Sequence, residues 1–346
     1  MKRIITFSDG TWNDPGEEDG GVPAPTNVCK ISNMIAAADA AGNAQVHQYF
    51  EGVGVAGNFF QKLDGGVTGA GLDQEIMDAY KFIVSNYEPG DLNYLFGFSR
   101  GAYTARSLAG FIVNCGILKP ENVGMIQQAY NLYRGRDADS TPWSAEAQQF
   151  RDNYSYPPAV YFIGVWDTVG ALGIPIGIFE SIDAAKYQFH DVQLSSQVPY
   201  AYHAMAVDEH RKIFDVTLWH RSDTAIANNV QQTIEQVWFA GAHRNVGGGY
   251  ADVGLSDNTL QWMVEKAQGA GLVFNEPPGT YKIDPVNGVL VNSLDFGYDV
   301  LQGFKTFYRV IDLQNQDFNP EAVSQSVYDR INGGVGYNPP NVPPNA

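Results

Sequence analysis

The chain has 346 residues, of which 44% are hydrophobic and 17% charged, and its formal net charge is −17. This length and apolar content are typical of a globular protein with one large α/β domain or two smaller ones. The excess of negative charge excludes nucleic acid as a partner, because phosphate binding requires clustered lysine and arginine. It also argues against electrostatic docking on anionic lipid, so any membrane contact would be apolar.

Cysteine content and the first residues bear on the compartment of the protein. Cys29 and Cys115 are the two cysteines, and neither has the spacing of a zinc site, so we predict two thiols and no disulfide framework. The apolar run that follows Met1 ends at Asp9, which makes it too short for a signal peptide. We therefore expect a protein that is cytoplasmic as synthesised, or exported by a route that needs no such signal.

One stretch, residues 160–179, has the hydropathy of a membrane span. Its only charge is Asp167, and it also contains Pro175 and four glycines. A spanning helix would place the carboxylate in the middle of the bilayer, which is costly. We predict a buried strand over Val160–Trp166 followed by an apolar loop, and no transmembrane segment.

Segments that fit strands alternate along the chain with amphipathic segments that fit helices. The predicted strands are 3–8, 46–50, 92–96, 160–166 and 237–239, and the predicted helices follow Thr26, span 72–83, follow Ser99 and span 260–271. This alternation predicts an α/β-hydrolase-like α/β fold, with a mostly parallel central sheet flanked by helices on both faces. We predict a single domain over residues 1–346, in which 338–346 form a tail rich in proline and asparagine.

Ser99 lies between Gly97 and Gly101, after an apolar strand and before a helix rich in small residues. The Gly-x-Ser-x-Gly pattern is weak alone, since chance would produce it about 0.2 times in such a chain. A nucleophilic serine on a tight turn between strand and helix needs very small residues two positions before and after it, because larger side chains would collide. We predict that Ser99 is a nucleophile; the alternative is a serine that only caps the helix.

The base that takes the proton from Ser99 is expected to be a histidine. The order serine, acid, histidine along the chain removes His47. His243 follows an apolar strand and precedes three glycines, and open α/β sheets build their sites in loops at the carboxyl ends of strands. The histidines without this context are interpreted as core or surface residues: His190, His203, His210 and His220.

The acid of the predicted triad is Asp167, which ends an otherwise uncharged strand. A carboxylate there is costly to bury unless it has a hydrogen-bonding partner. It would orient the imidazole of His243 and stabilise its cation, although an aspartate that only caps the next turn is an alternative. Asp208 is the rival acid, but its charged neighbours indicate a solvated loop.

An oxyanion hole requires two backbone N–H donors. The residue after the nucleophile, Arg100, is expected to supply one. The other is expected from Gly10 or Thr11, in a loop after the first strand, because glycine lets the backbone come close. An ordinary turn is the alternative at these two positions.

The loop Val169–Phe179 is apolar and adjoins the predicted acid. We predict that it forms an acyl pocket or a lid, which favours a lipid or another long acyl ester as the substrate. The substrate-binding residues are predicted to be Leu172, Ile174, Ile176 and Phe179. The serine mechanism needs no metal and no cofactor, so none is expected. The charge of −17 favours neutral or zwitterionic substrates.

Eight blocks in the chain are similar to the α/β-hydrolase-like family that contains the type VI secretion lipase effectors. They lie at 7–13, 26–31, 49–54, 79–91, 95–112, 164–173, 206–214 and 238–263, and their order is kept over nearly the whole chain. By motif, the resemblance implies Ser99 as nucleophile, Asp167 as acid and His243 as base. It implies an antibacterial phospholipase of the GxSxG type.

Two features depart from this family. The serine–aspartate pair that often follows the family's histidine is Arg244-Asn245 here, and an amide in place of a carboxylate could change how the histidine loop is held. The large effectors also carry membrane-anchoring segments, and this chain ends near the family's catalytic domain. The resemblance leaves open an immunity or secretion partner.

We predict a serine hydrolase that cleaves carboxylic esters through an acyl-enzyme and is lipolytic, of the phospholipase or lipase type. One alternative is a small-molecule esterase, thioesterase or acyltransferase with the same triad. A non-catalytic binding protein that keeps the hydrolase scaffold is the other.

Overall fold

The computed structural model describes residues 1–11, 13–52, 69–135, 141–170, 193–275, 281–294 and 305–344. Seven strands form the main sheet: β1 (Arg3–Ser8), β2 (Gln45–Phe50), β3 (Leu92–Phe98), β4 (Phe162–Trp166), β5 (Tyr200–Ala206), β6 (Thr233–Phe239) and β7 (Glu321–Val323). The described α-helices are α1 (Asn27–Met34), α2 (Gly69–Asn86), α3 (Arg100–Cys115), α4 (Ile126–Arg134), α5 (Ala145–Tyr154), α6 (Asp223–Ala227), α7 (His243–Gly247), α8 (Ser256–Gly269) and α9 (Gln325–Asn332). Short 3-10 turns span Pro120–Met125 and Lys212–Phe214, and two-residue strands pair Glu18–Asp19 with Val22–Pro23, Ile117–Leu118 with Ser155–Tyr156 and Gln193–Leu194 with His220–Arg221.

The seven strands of the main sheet lie in the order β7-β6-β5-β4-β3-β1-β2, and every neighbouring pair is parallel. From β1 the chain moves first to β2 on one side and then to β3 on the other. The strand order therefore reverses between β1 and β3. In open parallel sheets the crevice at such a reversal, beyond the carboxyl ends of the strands, is where ligands bind.

Alternate residues of the strands pack into two different cores. Leu95 of β3 packs with the core that contains Ile76 of α2 and Leu108 of α3. The next residue, Phe96, packs with the core that contains Met263 of α8 on the other face. Helices therefore cover both faces of a parallel sheet, which confirms the predicted fold class.

The predicted elements agree with the structure apart from their ends, but the prediction lacks two strands of the main sheet and the helices α4, α5, α6, α7 and α9. All five predicted strands are in the main sheet, and Thr26 caps α1 by accepting the N–H of Cys29 at 3.1 Å. The missed strands are β5 and β7. His203 and three alanines interrupt the apolar pattern of β5, and β7 has only three residues. Neither segment has a clear periodic hydrophobic pattern, so neither is predicted from the sequence. Each is identified as a strand by its pairing with β6 in the folded sheet.

Residues 305–344 pack against the sheet near β5 and β6. Val342 contacts the core formed around Met205 and Trp238, and the Asn341 amide donates to the carbonyl of Val207 at 3.3 Å. The segment 338–344, which lacks a core pattern in the sequence, is thus held by the strand ends. The single-domain prediction remains a prediction.

Cys29 and Cys115 are both buried free thiols, in agreement with the predicted absence of a disulfide. Within the described ranges, every helix is too short or too polar to cross a membrane.

Candidate active site

Ser99 occupies a strained turn between β3 and α3. Its φ is 58° and its ψ is −120°, a left-handed conformation that costs energy for any residue with a side chain. Its N–H donates to the carbonyl of Trp166 on β4 at 3.0 Å, which anchors the turn to the sheet. The serine side chain forms no capping hydrogen bond with α3. The energetic cost of this conformation is thus not offset by a capping hydrogen bond. The hydroxyl stays available, as a nucleophilic serine at such a turn requires.

Gly97 and Gly101 allow the close packing of this turn. A Cβ on Gly97 would lie 2.2 Å from the carbonyl oxygen of Gly101, and a Cβ on Gly101 would lie 2.1 Å from the carbonyl oxygen of Ser8. Both neighbours are backbone atoms, which have no rotamer to change. The small-residue requirement argued from the sequence is thus a steric fact of the β1–β3–α3 junction.

Asp167 and His243 form a buried hydrogen-bonded pair. Nδ1–H of His243 donates to Oδ2 of Asp167 at 2.5 Å, and the exposed fractions of the two residues are 5% and 0%. Asp167, like Ser99, has a positive φ, of 39°; among the described residues Asn229 is the one other non-glycine case. This bond leaves Nε2 of the imidazole available for proton transfer.

The His243 ring lies beside the serine turn. Its centroid is 4.6 Å from that of Phe98, the residue before Ser99. Phe214 also contacts the imidazole, edge-on, with its ring centroid at 5.1 Å. Among the described residues no hydrogen bond joins the Ser99 hydroxyl to His243, and such catalytic bonds often form only when substrate is bound.

Burial and charge set the protonation of the pair. Burial would raise the pKa of Asp167, but the Arg309 guanidinium and the His243 hydrogen bond bring it well below its usual range. Burial lowers the pKa of His243, and the adjacent carboxylate of Asp167 opposes this only in part. At neutral pH the pair therefore consists of a carboxylate and a neutral imidazole, the state in which histidine acts as a base.

Asp208 and Glu209 are buried, which corrects the expectation of a solvated loop around Asp208. Oδ2 of Asp208 accepts the N–H of Gly241 at 2.7 Å and the hydroxyl of Tyr337 at 2.8 Å. Oε2 of Glu209 accepts the N–H of His243 at 3.3 Å. The charges that suggested solvation are satisfied internally, since Arg211 pairs with Glu209 at 2.7 Å. Both carboxylates position the turn that carries His243.

Asn245 stabilises the same turn with both ends of its amide. Oδ1 accepts the N–H groups of Ala242 and Val291, each at 3.2 Å, and Nδ2 donates to the carbonyl of Val289 at 2.9 Å. A carboxylate has no donor for this last bond. The amide at the position where the similar family often has aspartate is thus used to tie the histidine turn to residues 289–291.

The loop after β1 lies against the serine turn. A Cβ on Gly10 would lie 3.2 Å from Cβ of Ser99, so the two backbones are adjacent. The Gly10 N–H donates to its neighbour Asp9, at 2.6 Å from Oδ1, and is therefore occupied. Among the described residues the N–H of Thr11 has no acceptor. Arg100 is the first residue of α3, at the end of the helix where the dipole is positive.

Asp9 holds this loop and was missed by the sequence analysis. Besides Gly10, its carboxylate accepts the hydroxyls of Thr26 at 2.5 Å and Tyr49 at 2.7 Å. Burial raises the pKa of Asp9, and these hydrogen bonds oppose the shift. Its place at the end of a buried strand was the available signal, the same one that singled out Asp167.

The other predictions concern the core histidine His203 and the four predicted acyl-binding residues. His203 lies on β5, fully buried, and its Nε2 accepts the N–H of Thr168 beside the acid at 3.0 Å, which agrees with a core role. Burial lowers the pKa of His203 to about 3. The predicted acyl-binding residues lie outside the described residues: Leu172, Ile174, Ile176 and Phe179.

A parallel sheet with a serine turn at its reversal point and a buried histidine–aspartate pair beside that turn defines a protein of the α/β-hydrolase-like class. The family model described as "T6SS, Phospholipase effector Tle1-like, catalytic domain" matches residues 2–266. The chain belongs to this family, which is one of lipolytic hydrolases.

Individual similar proteins are longer than this chain. An uncharacterized protein of Saccharomyces cerevisiae, YEL023C, is 31% identical over 234 residues, which are 62% of this chain and 32% of the yeast protein. A crystal structure of an uncharacterized Pseudomonas aeruginosa protein is 18% identical, with a TM-score of 0.44, over 82% of this chain and 47% of that one. A Tle1 effector bound to the VgrG spike of the type 6 secretion system is 20% identical, with a TM-score of 0.42, over 73% and 52%. The chain thus spans about a third to half of their lengths.

Proposed function

We propose that the protein is a serine hydrolase that cleaves carboxylic esters of lipids through an acyl-enzyme. The observation that carries the proposal is the buried hydrogen bond of 2.5 Å between His243 and Asp167, beside the strained turn of Ser99. A neutral imidazole held by a carboxylate is the base that a serine hydroxyl needs.

In the proposed reaction the Ser99 oxygen attacks the acyl carbon while Nε2 of His243 takes its proton. The imidazolium then gives this proton to the leaving alcohol, and Asp167 stabilises the cation through Nδ1. A water molecule, deprotonated by His243, then attacks the acyl-enzyme; the bond between the acyl carbon and the Ser99 oxygen breaks, the imidazolium returns its proton to that oxygen, and the fatty acid is released. The acid and base roles alternate on a single imidazole.

The oxyanion of each tetrahedral intermediate would be stabilised by two backbone N–H groups. Arg100 supplies one from the amino terminus of α3, where the helix dipole also favours negative charge. The occupied N–H of Gly10 leaves Thr11 as the second donor. Gly10 itself contributes by allowing the loop to approach Ser99.

Membership of the family supports a lipid substrate. The acyl-binding role of the loop after Asp167 remains a prediction, as do an immunity or secretion partner and export without a signal peptide. A series of p-nitrophenyl esters of increasing chain length tests the substrate class. We expect kcat/KM to rise with chain length; a preference for acetyl or butyryl esters would favour a small-molecule esterase.

Ser99→Ala tests the mechanism. We expect loss of esterase turnover and of labelling by a fluorophosphonate, which reacts only with an activated serine. Ser85→Ala is the matched control, because Ser85 is exposed on α2 and its hydroxyl donates only to the carbonyl of Lys81 at 2.8 Å. Retained turnover in Ser99→Ala would contradict the assignment, and absence of labelling in the unaltered protein would favour a non-catalytic binding protein.

A further inference from the structure

Arg309 is a fully buried arginine in a segment that lies beyond the residues matched by the family model. Its exposed fraction is 1%, whereas its neighbours Tyr308 and Val310 are 44% and 79% exposed. The residues on either side of Arg309 are thus exposed, whereas the cationic side chain of Arg309 is buried in the interior. A buried guanidinium is costly unless it is paired and hydrogen-bonded.

The guanidinium of Arg309 pairs with the carboxylate of Asp167 through two parallel bonds. Nη1 donates to Oδ1 at 2.6 Å, and Nη2 donates to Oδ2 at 3.0 Å. Two carbonyls accept the remaining donors of these nitrogens: that of Ala206 at 2.8 Å and that of Phe214 at 2.5 Å. Such a bidentate pair fixes both the position and the plane of a carboxylate.

The carboxylate of Asp167 is therefore held from three directions. Oδ1 also accepts the N–H of Ala206 at 2.9 Å, and Oδ2 accepts Nδ1–H of His243 at 2.5 Å. Two hydrogen bonds that share one oxygen separate the Arg309 cation from the imidazole. Arg309, Asp167 and His243 are all buried, so the charges of this group are little screened by solvent.

We propose that Arg309 is a positioning residue of the active site, which aligns Asp167 with His243 and keeps this pair unprotonated at a lower pH than Asp167 and His243 alone would allow. The inference rests on the proposed triad mechanism. In this role the Arg309 cation, which lies beyond residue 266, reduces the proton affinity of the His243 imidazole. The orientation of the imidazole is left intact.

The other charged groups around the pair do not replace Arg309 in this role. Glu209 and Arg211 oppose each other, since they form an ion pair at 2.7 Å. Asp215 is an anion, so its charge acts on the pair in the opposite sense to that of Arg309. His203 is kept neutral by burial, next to Arg106, and accepts a hydrogen bond from the backbone.

The test compares Arg309→Met with Arg309→Lys, using the pH profile of kcat/KM for a soluble ester from about pH 4.5 to 8. Without the cation, protonation of the pair becomes easier, so the acid limb of the Arg309→Met profile is expected to move up by about one pH unit or more. Arg309→Lys retains the positive charge but loses the two parallel hydrogen bonds of the guanidinium. Its acid limb should therefore stay within about 0.3 units of the unaltered enzyme, while kcat falls roughly tenfold at constant KM.

Arg3→Met is the matched control. Arg3 is also buried and also paired with a carboxylate, since its Nη1 donates to Oδ2 of Asp39 at 2.8 Å. It lies at the amino end of β1, whereas Ser99, Asp167 and His243 follow the carboxyl ends of strands, so its loss should lower the melting temperature without moving the pH profile.

An acid limb of folded Arg309→Met that moves up by clearly less than about one unit would overturn the inference. If Arg309→Met does not fold, an unchanged kcat in Arg309→Lys overturns it instead. Ser99→Ala separates this failure from that of the proposed function. Activity that survives Ser99→Ala refutes the triad mechanism, whereas activity that depends on Ser99 with an unshifted Arg309→Met profile refutes only the role of Arg309.

Discussion

Gly101→Ala should disable the enzyme by separating α3 from β1. A Cβ at this position would lie 2.1 Å from the carbonyl oxygen of Ser8 and 2.5 Å from that of Asp9, where real contacts below 3.0 Å essentially never occur. Both atoms belong to the backbone of the sheet and its first loop. The helix must therefore withdraw by about 1 Å, at a cost of about 1–3 kcal/mol of stability.

This displacement reaches the reacting atoms, because Ser99 is two residues before Gly101 and moves with the helix. It also separates the N–H of Arg100 from that of Thr11, the two proposed oxyanion donors. A misplacement of about 1 Å at an active site can cost about a hundredfold in rate. We expect a loss of this size in kcat, with a smaller change in KM.

The assay measures kcat and KM on a soluble ester, the rate of fluorophosphonate labelling and the thermal unfolding of both proteins. Gly269→Ala is the control: Gly269 ends α8, and a Cβ there would meet nothing within 4 Å. Alanine at that site should leave kcat unchanged and stabilise slightly. A Gly101→Ala enzyme with kcat within about twofold of the unaltered one would refute the steric reasoning.

Three further substitutions test the loop after β1 and the buried carboxyl of α2. In Asp9→Asn the amide nitrogen faces at least one of the donors that the carboxylate accepts, so we expect kcat to fall at least tenfold (about 1.4 kcal/mol) with little change in KM. Tyr49→Phe removes one of these bonds and should lose less kcat; equal losses in the two variants would contradict this role of Asp9. Burial raises the pKa of Glu75 to about 8, from an ordinary value of 4.5, so its contribution to stability is complete below pH 4.5 and declines as the pH rises to about 8. Glu75→Gln abolishes this decline. In urea unfolding, its free energy of unfolding relative to that of the unaltered protein should therefore increase by about 1 kcal/mol per pH unit as the pH rises over this range. A difference that is independent of pH would refute the raised pKa of Glu75.

The sequence by itself determined the alternation of strands and helices, and with it the parallel sheet. It also indicated Ser99, Asp167 and His243, because parallel strands bring their carboxyl ends to one edge and each of these residues closely follows or ends an apolar strand. Gly97 and Gly101 carried a steric signal that is local to the turn. Each of these features depends on a short, continuous stretch of chain, so it can be recognised from the local sequence.

The tertiary structure alone decided which distant groups surround the proposed triad. Arg309 lies 142 positions from Asp167, in a segment without periodic pattern, and no local rule connects the two. Asp208 has charged neighbours that suggest solvent, yet it is buried because Gly241 and Tyr337 supply its donors. Burial and pairing of charge depend on segments that meet only after the sheet has formed. The partners that set the protonation of the Asp167–His243 pair are therefore visible only in the folded protein.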